Sequence, residues 1–156
     1  MTHPAPSIAL AAGGTGGHLF AAEALADALI RRGHPVSVLT DARGARFQSG
    51  IRVRAVPATR LSGDLLAKAA GMLRLVAGIV ASARHMKRDG VRLLVGFGGY
   101  PSVPPVLAAK LLGVPVILVE QNAVLGRANR RLASLARVVA TAFPDVGNLG
   151  GVKSHF

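Results

Sequence analysis

The feature that most constrains this chain is Ala11-Ala12-Gly13-Gly14-Thr15-Gly16-Gly17-His18, set directly after the apolar run Ile8-Ala9-Leu10. Four glycines in five residues read as a loop joining a short strand to a helix that begins near His18. Glycine lets backbone pass close to a ligand. The following helix turns its unpaired N–H groups, and the positive end of its dipole, back on that loop. Strand, glycine turn and helix N-terminus together make a site for a phosphate or another anion. His18 adds an imidazole at the mouth, a group that exchanges a proton near neutral pH.

The rest of the chain repeats this alternation. Residues 7 to 12 are the first strand, and a helix follows from about His18 to Arg32. Leu19, Ala22, Leu25, Ala26, Leu29 and Ile30 form its apolar side, and Gly33 stops it. Further strands are expected at 35–40, 51–56, 91–95, 114–119 and 137–141. Arg52 and Arg54 alternate with Val53 in the third, as at a half-exposed outer strand. Between the second and third, 41–50 is a loop with room for a short helical turn. The fourth strand runs into a second glycine loop, Gly96-Phe97-Gly98-Gly99-Tyr100-Pro101-Ser102. Pro104 and Pro105 fit the first turn of the next helix, which continues to Gly113. The fifth strand delivers Glu120-Gln121-Asn122-Ala123, ahead of a helix from about Leu125 to Leu135. Strands alternating with crossover helices predict an α/β fold, a Rossmann-like parallel sheet with helices on both faces. Both glycine loops then lie at the carboxyl edge, where open α/β sheets bind ligands. The tail to Phe156 lacks a closing element, so the chain is expected to be the N-terminal half of a larger protein.

The helical segment ending near Arg88 reads in two ways. Leu65, Leu66, Ala69, Met72, Leu73, Val76, Ile79 and Val80 form one broad apolar stripe, which is expected to be core. The opposite side (Ala67, Gly71, Arg74, Gly78, Ala81) is barely polar, and Arg60, Lys68, Arg74, Arg84, Lys87 and Arg88 bracket the segment. An apolar patch ringed by cations suits an anionic leaflet; burial against another domain is the alternative. Gly71 and Gly78 leave room for a break into two helices.

Composition narrows the partners. Apolar residues are 51% of the 156, and there is no cysteine for a disulfide or thiolate site. Nineteen Lys and Arg against seven Asp and Glu give a formal charge of +12, which implies an anionic partner. Nucleic acid is disfavoured by one Tyr, no Trp and no recognition signature. The start of the chain has no signal-peptide pattern. Neither H-E-x-x-H nor other ligand spacing joins the histidines, so no metal site is expected. The P-loop pattern fails because His18, not Lys, follows Gly17. A dinucleotide fingerprint lacks its third glycine, where Leu19 stands; Asp41 is near the ribose position but also reads as a turn residue. Transfer chemistry remains, with His18 open as base, as ligand-positioning group or as helix cap. Glu120 and Asn122 equally suit a ligand or the capping of the next helix.

Gly13-Gly14-Thr15-Gly16-Gly17-His18, then Gly96 through Ser102, then Glu120-Gln121-Asn122-Ala123-Val124-Leu125-Gly126-Arg127-Ala128-Asn129, closely resemble the bacterial MurG family over nearly the whole chain. That resemblance implies the N-terminal, acceptor-side domain (1–156) of a GT-B glycosyltransferase with a separate C-terminal donor domain. It implies transfer of N-acetylglucosamine from UDP-N-acetylglucosamine to the C4 hydroxyl of the muramyl sugar of lipid I, with inversion, forming lipid II in peptidoglycan synthesis. By resemblance Thr15, Gly16, Gly17 and Asn122 contact the UDP-sugar, and His18 matches the family's proposed base. Gly13, Gly14, Gly98, Gly99, Tyr100 and Glu120 fall on the acceptor or phosphate side. No cofactor is implied. Residues 61–88 are implied to rest on anionic lipids at the cytoplasmic face of the inner membrane. The chain departs from the family where Val119 replaces a frequent His and Ala21 a frequent Pro. A lipid-phosphate binding module without activity of its own, and an NAD-type oxidoreductase domain, are the alternatives.

Overall fold

The computed structural model describes residues 5–13, 16–42, 51–59, 64–144, 146 and 154–155. Strands β1 (Ser7–Ala11), β2 (Val36–Thr40), β3 (Arg52–Ala55), β4 (Val91–Gly96), β5 (Val116–Glu120), β6 (Val138–Thr141) and β7 (Ser154–His155) form a sheet in the order β3-β2-β1-β4-β5-β6-β7. Every pairing is parallel. The crossovers are α1 (Gly16–Arg31), α2 (Leu65–Arg88), α3 (Val103–Leu111) and α4 (Arg127–Leu132). A 3-10 turn over Tyr100–Ser102 precedes α3, and another over Ala133–Leu135 extends α4. The expected α/β architecture holds, with β3 at one edge. The short β7 lies in the tail, where no element was expected. The expected helix from Leu125 is shorter: Leu125 is buried ahead of it, and Gly126 caps α4.

The period of two in β1 serves both faces of the sheet. Ile8 and Leu10 join Val38, Val95 and Phe97 beneath α1, whose Ala22 and Ala26 are fully buried. Ala9 and Ala11 face the other way with Leu39, Leu94 and Leu118, beneath α2 and α3, whose Val106 packs onto them. Small residues on β1 and α1 let helix and sheet approach closely. Each fully buried leucine contributes about 1.5–3 kcal/mol.

Helix α2 overturns the expected core stripe. Leu65, Leu66 and Leu73 are 83%, 81% and 73% exposed, and Met72, Val76 and Val80 are exposed too. Of the stripe, Ile79 packs partly against the core. The buried residues are instead Gly71, Gly78, Ser82 and Met86. A Cβ on Gly78 would stand 3.0 Å from Pro104 Cβ and overlap the Pro57 carbonyl oxygen. The helix is thus seated by its small-residue seam, which allows backbone-close packing that leucines forbid. It is also one continuous helix, not two. Asp64 caps it by accepting from the Ala67 N–H at 2.8 Å, and Ser82 Oγ donates to Gly78 O at 2.7 Å. At its other end Asp89 accepts from Arg52 and Arg54 of β3, at 3.3 and 3.1 Å. Helix and edge strand are tied there.

Candidate active site

Strand order reverses between β1 and β4: the chain winds outward to β2 and β3 from one, and to β5 and β6 from the other. At such a switch point the loops after the two strands diverge and leave a crevice at the carboxyl edge. Ala11 pairs with Gly96, so both glycine loops leave the sheet at one level. Phe97 N donates to Ala11 O at 2.9 Å, extending the ladder by one rung.

The second loop is fixed by its own chemistry. Gly98 and Gly99 have φ of 86° and 73°, a region that side-chain-bearing residues rarely adopt. Ser102, fully buried, shares its one hydroxyl proton between Ala11 O (2.9 Å) and Gly98 O (2.7 Å). The loop is thereby closed on itself and bound to the end of β1. A Cβ on Gly99 would stand 3.1 Å from Gly13 O and 3.5 Å from His18 Nδ1. First loop, second loop and imidazole therefore meet at one place. His18 is half-buried in the first turn of α1, among N–H groups that have no partner within the helix. Gly16 and Gly17 are exposed beside it. Gly14 and Thr15 lie outside the described residues, as do Arg60 of the basic bracket and most of the 41–50 loop.

The third motif is built around Glu120, which is 2% exposed at the end of β5. Its Oε1 accepts from Asn122 N (3.1 Å) and Asn122 Nδ2 (2.8 Å). Its Oε2 accepts from Gly126 N (2.9 Å) and Asn129 Nδ2 (3.0 Å). Burial pushes this carboxyl up, but the four N–H donors outweigh burial and hold it below the ordinary glutamate range. Glu120 thus shapes the loop that carries Asn122 and holds Gly126, the residue ahead of α4. Asn129 also donates to Val119 O at 3.0 Å and packs beneath Gly98. It links the second motif to the third. Gln121 Oε1 reaches to within 3.7 Å of a Cβ position on Gly17, so the third motif touches the first as well.

Tyr100 does not stand alone at the rim. Its hydroxyl donates to Asp41 Oδ2 at 2.9 Å, and Asp41 is 6% exposed at the carboxyl end of β2. Asp41, expected as a turn residue or a ribose acceptor, is instead a buried partner of the second loop. The signal for it was an acid directly after the apolar run Val38-Leu39-Thr40, at the edge where ligands bind. Ser102 and Asn129 stood within quoted motifs, yet nothing in their spacing disclosed their links.

Residues 8–141 match the glycosyltransferase family 28 N-terminal domain. The chain belongs to glycosyltransferase family 28. It is 50% identical over 148 residues to the UDP-N-acetylglucosamine–N-acetylmuramyl-(pentapeptide) pyrophosphoryl-undecaprenol N-acetylglucosamine transferase of Rhodospirillum centenum, covering 93% of this chain and 39% of that protein. The crystal structure of Acinetobacter baumannii MurG superposes with a TM-score of 0.80 at 34% identity, over 96% of this chain and 45% of that one. The resemblance carried by the three motifs holds. A UDP-GlcNAc 2-epimerase from Neisseria meningitidis shares the fold alone, with a TM-score of 0.63 at 15% identity, over 91% of this chain and 42% of that one. This family 28 chain spans less than half the length of the relatives it matches.

Proposed function

We propose that this domain is the acceptor-side half of an inverting glycosyltransferase that moves N-acetylglucosamine from UDP-N-acetylglucosamine to the C4 hydroxyl of the muramyl sugar of lipid I. The observation that carries the proposal is the meeting of two glycine loops and His18 at the switch point of the sheet. Backbone N–H groups there are set to receive phosphate oxygens as charge shifts toward the leaving diphosphate. In the reaction the acceptor oxygen bonds to the sugar's C1 as the bond from C1 to the UDP oxygen breaks. His18 takes the hydroxyl proton. Thr15, Gly16, Gly17 and Asn122 contact the UDP-sugar. Gly13, Gly14, Gly98, Gly99 and Tyr100 line the acceptor diphosphate, and Glu120 serves both by shaping the Asn122 loop. A C-terminal domain supplies most of the donor site. In the complete enzyme, His18→Ala should lower kcat by about 10²–10⁴-fold with little change in either KM. An unchanged kcat with a raised KM would make His18 a positioning residue.

The exposed face of α2 is the membrane-resting surface in this reading. By length and composition α2 could cross a bilayer, yet its Gly71-Gly78-Ser82-Met86 seam is packed into the fold. It therefore lies along the surface, with Leu65, Leu66, Met72, Leu73, Val76 and Val80 outward and Lys68, Arg74, Arg84, Lys87 and Arg88 exposed around them. Apolar residues enter the acyl boundary while the cations meet anionic headgroups on the cytoplasmic side of the inner membrane.

A further inference from the structure

We infer that Asp41 is a positioning residue for the transfer: through the Tyr100 hydroxyl it sets the acceptor-side loop against the first glycine loop and His18. The inference rests on the functional reading above and adds a residue that no motif contains. Three observations carry it. The carboxylate is buried at the end of β2, a strand that contributes no glycine loop, and it accepts the Tyr100 proton at 2.9 Å. Its other oxygen lies 3.2 Å from the point where a Cβ on Gly13 would stand, which is also 3.0 Å from Pro101 Cβ. Asp41 is therefore wedged between the first loop and the turn that carries Tyr100. Tyr100 in turn follows Gly99, the residue set against Gly13 O and His18 Nδ1.

The second loop needs such a hold. Gly98 and Gly99 are its two least restricted residues, and Ser102 ties their carbonyls, Oγ to Gly98 O and N–H to Gly99 O, by bonds that do not involve the Tyr100 side chain between them. Asn129 supports Gly98 from below. The Asp41–Tyr100 bond is a side-chain tie to the residue between the glycines and Ser102, and it is charge-assisted, the stronger kind. A phenol held this way keeps its ring, and the Gly99 backbone behind it, in one place before substrate arrives. Preorganisation of this sort acts on the ligand that the loop contacts, here the diphosphate of the lipid-linked acceptor, and not on the UDP-sugar. The same bond engages the carboxylate that a dinucleotide fold would offer to a ribose.

The test uses the complete transferase with UDP-N-acetylglucosamine and lipid I. Asp41→Ala should raise the acceptor KM about tenfold, the scale of one lost charge-assisted hydrogen bond, with the donor KM within about twofold of wild type. Asp41→Asn keeps an amide oxygen for the hydroxyl to donate to and should restore the acceptor KM to within about threefold. In a Tyr100→Phe background Asp41→Ala should add less than about twofold. Equal effects in both backgrounds, or equal rises in donor and acceptor KM, overturn the assignment. Tyr100→Phe removes one oxygen atom and decides the matter if Asp41→Ala does not fold: an unchanged acceptor KM overturns it. A wild-type enzyme that transfers no sugar to lipid I defeats the functional reading and this assignment together. Normal wild-type transfer with additive variants defeats this assignment alone.

Discussion

Gly78→Ala is the substitution that best separates the packing seen here from helix propensity. Gly78 lies in the interior of a 24-residue helix. At an exposed interior position, alanine for glycine gains about 1 kcal/mol. Here the new methyl would overlap the Pro57 carbonyl oxygen and stand 3.0 and 3.1 Å from Pro104 Cβ and Cγ. Neither neighbour can swing aside, because one is backbone and the other a prolyl ring in the first turn of α3. Relief requires α2 to lift from α3 by on the order of 1 Å, which loosens the contacts of Met86 and Ile79 as well. Overpacking of this kind costs about 1–3 kcal/mol, and occasionally more.

Set against the propensity gain, the expected result is a net loss of up to about 2 kcal/mol, or up to about 8 °C in Tm at this chain length. The assay is urea unfolding followed by circular dichroism, with Ala77→Gly measured alongside. Ala77 is exposed one residue away, so that change should lose about 1 kcal/mol by propensity alone. Two opposite exchanges at adjacent positions should thus both destabilise. A Gly78→Ala protein more stable than wild type would refute the seating of α2 by its glycine seam.

Three further outcomes follow from the same contacts. Glu120→Gln turns one acceptor oxygen into a donor facing N–H groups that already point inward, which should cost about 2–5 kcal/mol in urea unfolding. Acid should weaken the fold through three groups whose folded pKa is depressed. For Glu120 and Asp89 burial acts upward but is outweighed by N–H donors and by Arg54 and Arg52 respectively, so their contribution is complete above their ordinary values of 4.5 and 3.8 and is lost as pH falls through the folded ones. Burial, then the Arg54 charge, lowers His85, so its penalty enters below its ordinary 6.5 as the unfolded chain takes up the proton. Urea midpoints should hold from pH 8 to about 7, slip below about 6.5 and fall steeply below about 4.5; a flat acid limb refutes the three assignments. Leu66→Ser with Leu73→Ser should weaken sedimentation with phosphatidylglycerol vesicles about tenfold or more while leaving the unfolding free energy within about 0.5 kcal/mol, since both side chains are exposed; equal binding would remove α2 as the membrane face.

The parts of this fold that sequence reveals are those in which one local rule decides the outcome. Apolar runs such as Ile8-Ala9-Leu10 and Leu94-Val95 read as buried parallel strands, and the glycine pairs after them permit few structures but loops at the carboxyl edge. Helix α2 obeys no single rule. Its periodicity shows two faces, and hydropathy assigns the leucine face to the core, yet proximity belongs to the glycine face because Gly78 admits the close approach that Pro57 and Pro104 make there, with Gly71 buried on the same side. These exposed leucines, with cations beside them, are what the proposed membrane-resting face of α2 accounts for. Asp41 is the matching case at the site. Its spacing fits a turn or a ribose, and only the reversal of strand order between β1 and β4 brings residue 100 to within 2.9 Å of it. Where two elements fifty or more residues apart must meet to give a residue its role, composition and period carry no trace of the meeting; the topology of the sheet does.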